Sequence, residues 1–119
     1  MFTSETKNWS SAEDDCIMNG AHLASVHSDD EGQFLSTLMS NVLSTSGGWI
    51  GLERTGTSFQ WSDGSVLDYL SWNAGEPNNA NEKCVHQFYQ PGNSRHKKWN
   101  DLNCGALISF ICKKSQSGN

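Results

Sequence analysis

The chain has 119 residues, a net charge of −5 and a pI near 5.2, with 35% hydrophobic and 10% aromatic residues. That length suits one domain with one core, and the acidity argues against a nucleic-acid surface, which needs clustered Lys and Arg. No apolar run approaches the ~20 residues of a membrane span, so membrane insertion by these residues is not expected. Met1 leads into Phe2-Thr3-Ser4 with no basic or apolar leader, as expected of an excised domain, and export is left open. In chain order, a helix is expected from Trp9 to Met18, where Trp9, Ala12 and Cys16 share a face and Asn19-Gly20 supplies a stop. Asn8-Trp9-Ser10 matches a glycosylation sequon and equally well a helix start. His22 to Val26 reads as a short strand. Ser28-Asp29-Asp30-Glu31 is a capping box, opening a second helix that should bury Phe34, Leu35, Leu38 and Met39.

Past Gly47-Gly48 the pattern turns to β. Trp49-Ile50-Gly51-Leu52 reads as a buried strand, and Phe59-Gln60-Trp61 before Asp63-Gly64 reads as a hairpin signal. From Ser71 to Asn93 runs a stretch rich in Asn, Gly and Pro, broken only by Cys84 to Phe88. Loops of that length are functional or disordered, and the cysteines in and just after this one favour order. Leu107 to Cys112 is the final apolar strand, and 115–119 a flexible tail behind a domain spanning 1–114. Helices first, then a mostly antiparallel β half, make an α+β fold.

Cys16, Cys84, Cys104 and Cys112 include no C-x-x-C pair, which favours disulfides in an oxidising compartment over zinc or redox chemistry. Spacing leaves three connectivities open. Around the long loop, oxygen-bearing side chains bunch: Glu76, Asn78, Asn79, Asn81 and Glu82, then Asn100, Asp101 and Asn103. Carboxylates mixed with amides suit a hard cation such as calcium, which takes ~6–8 oxygen ligands. The plainer account of the same residues is a polar, turn-rich surface. Pro77 tips the balance, because a cis bond before it would aim Glu76 and Asn78 at one point. A disulfide between the flanking Cys84 and Cys104 would pre-order such a site.

Taken together, Trp49-Ile50-Gly51-Leu52, Glu76-Pro77-Asn78, Trp99-Asn100-Asp101 and the four cysteines resemble the C-type lectin domain over essentially the whole chain. The resemblance implies the pairings Cys16–Cys112 and Cys84–Cys104, and a single Ca2+ held by Glu76, Asn78, Glu82, Asn100 and Asp101. The family's opening strand looks clipped, starting at Phe2. One oxygen from each of four ligands and two from Asp101 give about six, leaving two positions for neighbouring sugar hydroxyls. The same five residues are then the carbohydrate-binding residues. Glu-Pro-Asn in this family goes with mannose, fucose, glucose or N-acetylglucosamine, and Gln-Pro-Asp with galactose. Mannose-type glycans on cell or microbial surfaces are therefore the expected partners, met by a secreted protein or the extracellular part of a membrane protein. One shallow site is weak, so avidity would need an oligomer or array.

Two departures from the family pattern stand out. Asn79, Lys83 and Arg54 occupy positions where an auxiliary calcium would want acids, so one ion is expected. The segment Gln90 to Lys98 is longer than a minimal connection, and its Arg95-His96-Lys97-Lys98 run reads as a solvated loop or a secondary contact to a larger glycan. Phe88 and Tyr89 read as strand packing. An enzyme is not expected, since an ion between Glu76 and Asp101 would hold both ionised and remove the general acid. The rival is a domain of the same fold that binds a protein or other non-sugar ligand, for fold alone does not decide function.

Overall fold

A computed structural model describes residues 2–41, 46–77 and 81–114. The expected tail and Asn78 and Asn79 lie outside the described residues. Strand β1 (Phe2–Lys7) leads into helix α1 (Trp9–Met18), then β2 (His22–Leu23), α2 (Asp29–Met39) and β3 (Gly47–Thr55). Strands β4 (Ser58–Trp61), β5 (Cys84–Phe88), β6 (Trp99–Leu102) and β7 (Ile108–Lys113) complete the fold. The sheet runs β1-β7-β3-β5-β6, with β4 paired to β3 and β2 to β7. All pairings are antiparallel except β3 with β7.

Local chemistry sets the helix ends. Asn8 caps α1 by accepting from the Ser11 N–H, and Gly20 takes a left-handed φ of 76° beyond the C-cap. Ser28 caps α2 by accepting from the Glu31 N–H, while Glu31 reaches past Ser28 to the His27 N–H. Leu35 and Met39 are buried as expected, but Phe34 is 61% exposed. Its Cα angle falls outside the narrow stripe that meets the sheet, a matter of helix rotation that the spacing of apolar residues leaves undecided.

Period-two alternation then divides the core. Ile50, Leu52, Val85 and Ile111 pack beneath α2 with Trp61 and Trp99, whereas Trp49, Cys84, Phe110 and Cys112 face α1 with Trp9 and Cys16. The disulfides are Cys16–Cys112 and Cys84–Cys104. The first ties α1 to β7, the second closes the end of β5 onto the turn after β6. The chain closures they impose restrict the unfolded ensemble by roughly 3–5 kcal/mol each.

Three expectations shift. The His22 strand stops at Leu23, after which Ala24 trades backbone hydrogen bonds with Ile111 and Gly51 outside a regular ladder. The hairpin turns at Gly56-Thr57, pairing Thr55 with Ser58, and Asp63-Gly64 instead ends β4. There the Asp63 carboxylate accepts from the Ser65 N–H and Ser25 hydroxyl, so the turn opens the long loop rather than a partner strand. Leu107 falls outside β7 and is 66% exposed.

Candidate calcium and sugar site

Strand β6 is the last of the sheet order, and its free edge meets the segment before Glu76. Trp99 N–H donates to the Ser71 carbonyl at 2.7 Å, and Asn73 N–H donates back to the Trp99 carbonyl at 2.9 Å. Glu76 N–H then donates to the Asn73 carbonyl at 2.9 Å, closing a turn that brings Glu76 beside the start of β6. The Glu76–Pro77 peptide bond is cis. Beneath this turn lies an aromatic bed that motif reading missed: Trp72 stands 5.8 Å from Trp99 and 5.0 Å from Phe59, and Tyr69 stands 6.0 Å from Trp99. The only sequence signal for it was the density of tryptophan.

Asn100 and Asp101 follow Trp99 on β6, in register with His86 and Val85 of β5. Consecutive strand residues leave on opposite faces, so Asn100 shares the face of His86 and Asp101 that of Val85. Asp101 is buried at 1% exposure and Asn100 half-buried. A carboxylate that deep is costly unless charged or polar groups compensate it. His86 contributes no charge there: burial pushes its pKa down to about 4, so the ring, packed 4.7 Å from Phe88, is neutral at physiological pH.

Glu82 lies on the far side of the loop, half-buried just before Cys84. The Arg54 N–H holds the neighbouring Lys83 carbonyl at 2.7 Å, and the Arg54 guanidinium lies 4.6 Å over the Phe59 ring.

Backbone hydrogen bonds bring the Glu76 turn to the edge of β6 that carries Asn100 and Asp101, and Glu82 stands two residues before Cys84, where β5 begins. Asn81 is exposed, and Asn103 is spent on a turn, where Oδ1 accepts from the Gly105 N–H at 2.7 Å. Among the described residues, no three His, Cys, Asp or Glu side chains are gathered closely enough to hold a metal. Clustered carboxylates repel one another unless a cation lies between them. The donor chemistry nevertheless fits calcium, since every donor is an oxygen and amide or main-chain oxygens complete such cages.

The Gln90–Lys98 segment departs from a merely solvated loop. His96 Nδ1 accepts from the Gln90 N–H at 3.0 Å, and its ring meets Tyr89 at 5.3 Å. Lys97 Nζ donates to Gln33 of α2 at 3.0 Å and stands 3.9 Å from Asp29. Phe88, the last residue of β5, is half-buried against His86 as expected of a strand residue, whereas Tyr89 lies just beyond the strand and packs on the core.

The model of the lectin C-type domain matches residues 5–114. A C-type lectin mannose-binding isoform from Oxyuranus scutellatus is 46% identical over 114 residues, covering 90% of this chain and 70% of that protein. The C-type carbohydrate-recognition domain of cow CD23, solved in the presence of a GlcNAc2Man3 oligosaccharide, superposes with a TM-score of 0.79 at 33% identity, over 97% of this chain and 86% of that one. Herring type II antifreeze protein superposes at 0.83 with 33% identity, over 98% and 90%. With the two helices, the mixed sheet and both disulfides in place, the chain belongs to the C-type lectin domain family, a binding module and not an enzyme.

Proposed function

We propose that this domain binds mannose-type carbohydrate through one calcium ion held by Glu76, Asn78, Glu82, Asn100 and Asp101. The observation that carries the proposal is the meeting of the Glu76 turn with the Asn100–Asp101 edge of β6, which gathers carboxylate and amide oxygens, the donors a hard cation prefers. When bound, the ion supplies open coordination positions for two neighbouring hydroxyls. The protein's part is orientation: carboxylates of Glu76 and Glu82 accept from the hydroxyl protons, and the amides of Asn78 and Asn100 donate to the hydroxyl oxygens. The aromatic bed under Trp72 keeps the Glu76 turn from drifting before sugar arrives, which lowers the ordering cost of binding.

Mannose-type preference is supported by the Glu-Pro-Asn order at Glu76 to Asn78 and by the name of the 46% identical relative. One ion rather than two follows from Arg54 and Lys83 on the flank. The two disulfides favour an extracellular setting, where such bonds persist. Among the described residues no helix is long and apolar enough to cross a membrane. Affinity for a single sugar should sit near the millimolar range, so surfaces bearing many glycans and more than one copy of the domain are the natural setting. The test is retention on mannose resin in calcium, with elution by a chelator. Free mannose should compete at least ~10-fold better than free galactose, a gap of about 1.4 kcal/mol. Retention that survives chelation, or equal competition by galactose, refutes the assignment.

A further inference from the structure

The β5–β6 ladder does not end with the strands. Phe88 N–H donates to the Lys98 carbonyl at 2.9 Å and Lys97 N–H donates to the Phe88 carbonyl at 3.0 Å, so two residues oppose one. This is a β-bulge, and its first member, Lys97, has a φ of 69°, the left-handed region that glycine fills without cost. A lysine there is steadied by its tie to Gln33 and Asp29 on α2. The bulge sets Lys98 opposite Phe88 just as Asn100 stands opposite His86. His86 and Phe88 share a face, their rings 4.7 Å apart, and the Arg95 guanidinium lies 5.1 Å over that same Phe88 ring. Lys98 and Asn100 are therefore two residues apart on one face, ~6.6 Å along the strand.

The loop is built to hold this arrangement. Asn93 Oδ1 accepts from the Arg95 N–H at 3.0 Å, and His96 accepts from the Gln90 N–H. Lys97 is engaged by α2, while among the described residues Arg95 and Lys98 make no ion pair and are exposed. In a chain of net charge −5, three of its 8 Lys and Arg residues fall within four positions here.

We infer that Arg95 and Lys98 form an anion subsite beside the sugar position at Asn100, so that the preferred ligand is a glycan carrying a sulfate ester or a carboxylate next to the calcium-held sugar. This rests on the sugar site proposed above and names its substrate class. The guanidinium, braced on Phe88, gives a planar pair of donors for the anion, and the Lys98 ammonium adds a mobile point charge.

The test compares a neutral mannose disaccharide with its 6-sulfated and its uronic-acid counterparts, by calorimetry on the intact domain in calcium. The anionic forms should bind about fivefold tighter at low salt, an advantage that shrinks as ionic strength rises. In R95A/K98A the anionic-to-neutral ratio should fall to about one, whereas K114A, which removes a cation elsewhere, should keep the wild-type ratio. Sulfate favoured alone or carboxylate favoured alone supports the subsite and identifies its anion. A wild-type ratio near one, or a ratio unchanged in R95A/K98A, overturns the inference while leaving calcium-dependent mannose binding intact. If a chelator leaves binding of the neutral disaccharide unaffected, the calcium-held sugar fails and the subsite beside it fails with it.

Discussion

A β-carbon placed on Gly51 would stand 2.6 Å from the Leu23 carbonyl oxygen and 2.9 Å from the Ser62 hydroxyl. The first of those is backbone, held by the β2–β7 pairing, and cannot retreat. Gly51→Ala is expected to destabilise by about 2–4 kcal/mol, seen as a lower urea midpoint with an unchanged slope. Asp63 illustrates a different kind of residue-scale control. Burial would raise its pKa, but hydrogen bonds from Ser25 and Ser65 and the nearby Lys113 ammonium outweigh that and bring it below 3.8. A depressed carboxylate stabilises the fold at pH values above its unfolded pKa and loses that contribution as pH falls through its folded one. The melting temperature of the wild type should therefore drop on acidification below about pH 4. Asp63→Asn should show a shallower drop over that range, and parallel profiles would show that the carboxylate is not responsible.

Between elements, Gln87 is the connection that matters most to the site. It is fully buried, donates from Nε2 to the Gly32 carbonyl of α2 at 3.1 Å and accepts from Trp99 Nε1 at 3.3 Å. It thus joins α2 to the strand that carries Asn100 and Asp101. Gln87→Leu keeps the volume but strands a buried carbonyl and an indole N–H, each costing about 1–3 kcal/mol. A loss of about 2–5 kcal/mol is expected in chemical denaturation, together with quenching changes at Trp99. Loss under 0.5 kcal/mol would mean that water replaces both bonds. Helix extents at this scale were legible beforehand because capping is local: Asn8 and Ser28 act on N–H groups three residues on. The hairpin was not. Both Gly56-Thr57 and Asp63-Gly64 are competent turns, and the choice fell to whichever let Leu52 pair with Trp61 and bury both.

For the molecule as a whole, a ligand that binds only the folded state raises its stability by mass action. Calcium at about 100 times its dissociation constant should add about 2.7 kcal/mol and lift the melting temperature by at least about 5 °C, reversed by a chelator. Magnesium at equal concentration should do much less, since it demands a smaller octahedral shell. An identical melting curve with and without calcium would contradict the proposed ion.

The order of motifs along the chain was enough to determine the family and the α+β class and to nominate ligand candidates, because side-chain chemistry and short-range spacing are properties of the chain itself. Trp49 to Leu52, Trp99 to Asp101 and the cysteines carry that information without folding. What only the tertiary structure decided are matters of long-range placement. Examples are which face of α2 is covered, leaving Phe34 in water, and which polar residues are spent on turns, as Asn103 is. The basic loop is another, since Lys97 finds Gln33 sixty-four positions away while Arg95 and Lys98 stay exposed. Such contacts depend on how strands register and helices rotate once the core closes, and local periodicity holds no record of either.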